Sequence, residues 1–190
     1  MESPADPVER DLALRSKQGD RDAFGDLIQR HMRRAYYAAL GFVGSLEDAL
    51  DLSQEAFARA FKARDTIDPE RPFYPWLYQI LRRLSFNHIR NRKSRGEKLA
   101  AESGWIIAEA TERMAGSNPE REVERAELRE LLAAAIDSLS ENEREVLVLK
   151  EFEGLRYREI AELLEIPMGT VMSRLYTARR SLAALLEGRI

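Results

Sequence analysis

A chain of 190 residues with 44 % hydrophobic content is long enough for one ordinary domain or two small ones with packed cores. Zero cysteines exclude a disulfide framework and thiolate metal sites, and no apolar run approaches the roughly 20 residues of a membrane span. The formal net charge of −3 hides a segregated distribution, which matters more than the sum for a protein that meets partners of both signs.

Met1 to Pro7 carries no apolar signal-peptide core, so a cytoplasmic location without membrane insertion is expected. Residues 1–8 are expected to be a mobile N-terminus. A short helix follows near Glu9 to Lys17, and Gly19-Asp20 punctuates it before a longer helix from about Arg21 to Phe42 with Phe24, Leu27, Ile28 and Ala35 as its buried stripe. Ser45 has the position of an N-cap, opening a helix to about Arg64 in which Leu50, Phe57 and Phe61 are expected to face inward. Asp65 to Pro72 holds two prolines and three acids and must be a connection. Phe73 to about Arg95 then forms a helix with Leu77, Ile80, Leu81 and Leu84 inward. Residues 9–95 thus make one compact helical domain.

The stretch 96–119 breaks the pattern, with Ser117-Asn118-Pro119 at its end and Trp105-Ile106-Ile107 as its one apolar foothold. It predicts a flexible linker reaching at most roughly 80 Å. Residues 120–190 form the second unit. A helix from about Glu120 to Asp137 leads to Ser140-Glu141-Asn142-Glu143, a capping box for a helix ending at Glu153-Gly154. Tyr157 to Arg180 then reads as helix, corner, helix. Pro167 suits the first position of the second helix, and Ile166 before it is pushed out of helical geometry. Val171, Leu175, Ala178 and Leu182 fix one face of that helix on a core. Thr170, Ser173, Arg174 and Thr177 are expected on the opposite face, a set suited to the major groove of DNA or, more blandly, to water. The fold class is therefore all-α, with two small helical domains joined by a linker.

Two further faces carry chemistry. From Ser45 to Ala58 the charged residues are Glu47, Asp48, Asp51 and Glu55; Asp48, Asp51 and Glu55 share a helical face with Gln54 beside them. DNA would repel this face, which suits either docking on a basic protein surface or solvation near a helix N-terminus. From Arg82 to Lys98 seven cations meet only Glu97. Here Arg83, Asn87 and Arg90 can share a face, beyond an aromatic entrance of Phe73, Tyr74, Trp76 and Tyr78. Cations bind phosphate and exposed rings stack on unpaired bases, although any single aromatic here also serves as core. His31 and His88 lie in no metal-ligand spacing, and no phosphate-cradling loop or nucleophile elbow is present. No enzyme, metal or cofactor is expected.

Together these residues resemble a sigma factor of bacterial RNA polymerase, of the short extracytoplasmic-function (ECF) group that keeps conserved regions two and four. The segment from Asp48 to Phe57 (DALDLSQEAF) looks like the polymerase-binding motif of region two, Phe73 to Ile80 like its promoter-melting segment, and Leu139 to Leu182 like region four. The resemblance implies that Asp48, Asp51, Leu52, Gln54 and Glu55 dock on the coiled coil of the polymerase's largest subunit, and that region four docks on the flap of the second-largest. It implies minus-ten contacts by Asp68, Glu70 and Arg71 in the loop, by Phe73, Tyr74 and Trp76 at the helix entrance, and by Arg83, Asn87 and Arg90 on the upstream duplex. Thr170, Ser173, Arg174, Tyr176 and Thr177 would read the minus-thirty-five element, with Arg179 and Arg180 on or near phosphates and Arg156 adding another phosphate contact. Met172 stands where the family often carries Lys or Arg, so that contact is lost or becomes apolar. The resemblance further implies promoter DNA as partner and an anti-sigma factor as regulator. The alternative is a helix-turn-helix regulator whose N-terminal domain senses or dimerises.

Overall fold

The computed structural model describes residues 6–95 and 135–187. The stretch 96–119 expected as a linker, its foothold Trp105 to Ile107, most of the helix expected from Glu120, and Met1 to Ala5 lie outside the described residues. Every regular element among those described is helical.

Helix α1 (Pro7–Lys17) starts on Pro7, whose missing N–H costs nothing there, and places Glu9 in its first turn and Lys17 in its last, matching the helix dipole. Helix α2 (Arg21–Val43) is capped by Asp20, whose Oδ1 accepts the N–H groups of Asp22 and Ala23, each at 3.0 Å. It stops at Gly44, whose φ of 69° is one that glycine adopts without steric cost. Helix α3 (Leu46–Lys62) opens on Ser45, which accepts the Asp48 N–H at 3.3 Å. A 3₁₀ turn (Arg64–Thr66) ends this run earlier than the sequence pattern suggested.

Helix α4 (Phe73–Ser94) has Pro72 before it, which offers no side-chain acceptor. Glu9 of α1 supplies one instead: its Oε1 accepts the Phe73 N–H at 2.7 Å, while its Oε2 lies 3.0 Å from His31 Nε2. These two hydrogen bonds, His31's the larger influence, hold the Glu9 carboxyl below the usual carboxylate range against the opposing effect of burial. The start of α4 is thereby tied to both preceding helices.

Leu50 was expected inward and is 50 % exposed. The inner stripe of α3 consists of Ala49, Ser53, Ala56, Phe57 and Ala60, whose apolar members share one core with buried Ala35, Ala38 and Ala39 of α2. Small side chains let the two helices approach closely, and Leu50, about 100° round from Ala49, is carried off the seam. Phe24 fills the space above it, edge-on to Phe61 at 5.2 Å and to Phe73 at 6.2 Å.

In the second unit residues 135–138 are helical and lead to α5 (Glu141–Leu147), where Ser140 and Glu143 form the expected capping box. The helix then widens into a π turn (Val148–Phe152) before Gly154 at φ 68°. Helices α6 (Tyr157–Leu164) and α7 (Met168–Glu187) complete the unit. The two units do not stand apart. Val146, Val148, Leu149, Ile160, Val171 and Leu175 belong to one apolar cluster with the residues of α1 to α4. Gly41 makes room for this: a Cβ there would lie 2.9 Å from Val148 Cγ1.

Candidate functional site

On α3, Asp51, Gln54 and Glu55 point to solvent, and Asp48 is partly covered, its Oδ2 lying 3.3 Å from His88 Nε2. Glu55 pairs with Arg59 at 2.7 Å, whereas Asp51 has no cationic partner among the described residues. Leu52 is half-buried and packs on the core, so it anchors the face from beneath. The result is an outward negative surface on a rigid helix.

Helix α4 presents Arg83, Asn87 and Arg90 on one exposed face, spaced i, i+4, i+7, with Arg90 Nη2 donating to Asn87 Oδ1 at 2.6 Å. Its aromatic entrance is mostly covered. Phe73 and Tyr74 are buried, and Trp76 is half-buried with its ring 5.5 Å from that of Phe73. In the connecting loop Asp68, Glu70 and Arg71 are exposed. Asp68 Oδ1 accepts the Glu70 N–H at 3.1 Å, Asp68 Oδ2 lies 3.5 Å from Arg71, and Glu70 pairs with Arg10 of α1. Lys17 donates to the Ile67 carbonyl at 3.0 Å and pins the loop's base.

The corner between α6 and α7 is closed by Glu165 at φ 54°, with the Ile166 N–H donating to the Ala161 carbonyl at 3.0 Å, the bond of a Schellman turn. Pro167 sits just before α7 instead of in its first position. Its carbonyl accepts the N–H of Thr170 at 2.8 Å and of Val171 at 3.2 Å, as a capping residue does. Arg156 lacks a capping oxygen, but Glu159 reaches back to its N–H at 2.6 Å. On α7, Val171, Leu175 and Ala178 are buried, while Met172, Ser173, Tyr176, Thr177, Arg179 and Arg180 are exposed and Thr170 and Arg174 half-buried. Ser173 and Thr177 donate to the carbonyls of Thr170 and Ser173, at 3.0 and 3.1 Å. Arg179 pairs with Glu151 at 2.6 Å.

Arg144, Glu145 and Glu153 of the second unit bind polar groups of the first, a task the sequence pattern alone does not assign them. Arg144 and Arg92 are buried at the C-terminal end of α2, donating to the carbonyls of Phe42 and Val43, each at 3.0 Å. The last turn of α2 has no cation of its own, so these guanidiniums satisfy its orphan carbonyls and its dipole. Glu145, fully buried, accepts from Arg82 Nη2 at 2.9 Å and from the Tyr78 hydroxyl at 3.1 Å. Glu153 accepts from the Tyr74 hydroxyl at 2.6 Å and pairs with Arg34 at 2.9 Å, and the Arg34 guanidinium lies 3.6 Å from the Tyr74 ring centroid. Burial and the adjacent carboxylates push both phenols upward from their ordinary value. Of the basic run, Arg92 is thus buried inside the protein and Arg82, partly exposed, is engaged by Glu145. For Arg92 a signal exists: it continues the inward positions Leu81, Ser85 and Ile89.

Comparison with known proteins assigns this architecture. Residues 27–95 match the sigma-70 region 2 family and residues 129–182 the sigma-70 region 4 family. The chain is 32 % identical to the RNA polymerase sigma-H factor of Pseudomonas aeruginosa over 94 % of each chain, and 34 % identical to the ECF RNA polymerase sigma-E factor of Escherichia coli K12 over 90 % of each. Among solved structures, CnrH in complex with the cytosolic domain of CnrY is similar with a TM-score of 0.66 and 28 % identity, over 96 % of this chain and 99 % of that one. The sigma factor RpoE of Bartonella quintana, solved with the anti-sigma factor NepR, shares the fold with a TM-score of 0.59 and 20 % identity, over 88 % of this chain and 98 % of that one. A region-two unit where the regulator alternative needs a sensing or dimerisation domain disfavours that alternative. The chain belongs to the sigma-70 family, in its ECF group, as a promoter-recognising, non-enzymatic factor of transcription initiation.

Proposed function

We propose a division of labour among the exposed faces, carried by one observation: a negative face on α3 and a positive face on α4 are both open to solvent on one rigid helical unit. Asp51, Gln54 and Glu55, flanked by Asp48 and seated on Leu52, dock on the basic coiled coil of the polymerase's largest subunit. Residues 120–190 bind the flap of the second-largest. Arg83, Asn87 and Arg90 lie along the duplex upstream of the minus-ten element, where each cation releases condensed counterions from phosphate. The loop bearing Asp68, Glu70 and Arg71, with half-buried Trp76, holds an unpaired base; Phe73 and Tyr74, expected from the resemblance to touch it, are buried in the helical core and instead support this surface from beneath. Strand opening is then driven by capture of an already separated state, without covalent chemistry. Helix α7 enters the major groove of the minus-thirty-five element through Thr170, Met172, Ser173, Arg174, Tyr176 and Thr177, with Arg156, Arg179 and Arg180 toward phosphates. Two similar proteins solved with bound partners support an anti-sigma factor as regulator, and a factor that acts on core polymerase and promoter DNA works in the cytoplasm.

Run-off transcription with core polymerase on a randomised promoter library tests this reading. Initiation at defined start points, with two enriched upstream elements, is the expected result. Initiation without any enriched upstream element contradicts it.

A further inference from the structure

Eight large apolar side chains are exposed among the described residues, and three of them, Met168 (52 %), Met172 (50 %) and Tyr176 (67 %), stand on two successive turns of α7. Their i, i+4, i+8 spacing lines them along one flank of the helix, beside the exposed centre and away from buried Val171, Leu175 and Ala178. The neighbouring hydroxyls of Ser173 and Thr177 spend their protons on their own helix. The outward surface at the start of α7 is consequently apolar where hydrogen-bond donors would serve guanine best.

Charge selects the occupant. From Met168 to Arg180 there are three arginines and no acid, which fits a polyanion that presents apolar groups between its charges. Duplex DNA does so in the major groove, where every A·T pair exposes the thymine C5-methyl, and where the N-terminal residues of a recognition helix meet base edges. Methionine's unbranched, polarisable side chain adapts to such a knob. Resting on the minus-thirty-five reading of α7, we infer that Met172 and Tyr176, with Met168 beside them, are specificity-determining residues that select A·T pairs by packing on thymine methyl groups. The arginines of the helix supply affinity and register, and this apolar flank supplies part of the sequence preference.

Full-chain holoenzyme on the promoter selected from a randomised library provides the test. Thymines of the upstream element are replaced one at a time by deoxyuridine, which keeps every hydrogen-bonding group and loses only the C5-methyl. At one or more positions promoter binding is expected to fall about fourfold, the size of one buried methyl group. The double variant Met172→Ala, Tyr176→Ala is checked for folding by its assembly with core polymerase. It is expected to bind thymine and uracil promoters equally at those positions. Equal binding by the wild type at every position overturns the inference, as does an undiminished uracil penalty in the variant or a selected element without A·T pairs. Selection of no upstream element at all overturns the minus-thirty-five reading and the inference with it, and is seen before any uracil is introduced.

Discussion

Glu145 of α5 is completely enclosed, and its Oε2 receives Nη2 of Arg82 from α4 at 2.9 Å, so a cation of the basic run closes the two halves of the molecule on each other. The Tyr78 hydroxyl shares the same carboxylate. Replacing Glu145 by alanine leaves an arginine whose side chain is 35 % exposed and a buried phenol without their acceptor. Breaking a buried pair costs about 3–5 kcal/mol, and the partial exposure of Arg82 places this one toward the lower end. The expected outcome for Glu145→Ala is a larger radius of gyration in solution with helical content retained. An unchanged radius contradicts the role assigned to this contact.

Gly41 and Val148 meet where α2 passes the π turn. Any Cβ at 41 would fall 2.9 and 3.0 Å from the two methyl groups of a valine that is itself buried and cannot move aside freely. Gly41→Ala is therefore expected to destabilise by about 1–3 kcal/mol, the cost of overpacking. Adding Val148→Ala should restore part of that loss, so that the double variant is more stable than the sum of the singles. Simple additivity in urea unfolding would show that the two positions are not in contact.

Alkaline pH should loosen the same junction. Tyr74 and Tyr78 have phenols raised above their ordinary value, chiefly by burial and next by the charge of Glu153 and Glu145. The folded state then holds protons that the unfolded chain releases. Their contribution is complete below the ordinary phenol value of about 10 and declines as pH rises above it. Unfolding midpoints measured from pH 8 upward should fall beyond that point, and more steeply in the wild type than in Tyr74→Phe, Tyr78→Phe. Equal slopes would assign the fall to other groups.

What the sequence discloses is mostly local. Ser45 and Ser140 cap the helices they precede because a short acceptor at that position is a local requirement, satisfied within four residues. Long-range polar contacts leave no such trace: Glu9 serving the N–H of Phe73, and Arg144 serving the carbonyl of Phe42, depend on how the helices come together. Leu50 misleads because large apolar residues are expected inward, while the real seam is built of alanines that permit close approach. The exposed faces of α3, α4 and α7 were legible from spacing. That Tyr74 and Tyr78 are covered by the carboxylates of the second unit was not, since neither Glu145 nor Glu153 belongs to a local pattern.

The proposed grip on the polymerase depends on the negative charge of α3. Asp51 points to solvent without a cationic partner, and the exposed Glu55–Arg59 pair contributes little to stability, so Asp51→Lys, Glu55→Lys should fold as the wild type does. Titration of labelled protein with core polymerase at fixed salt measures the consequence directly. A loss of affinity of about tenfold or more with an unchanged thermal midpoint is expected. A variant that still forms a stoichiometric complex with wild-type affinity would contradict it.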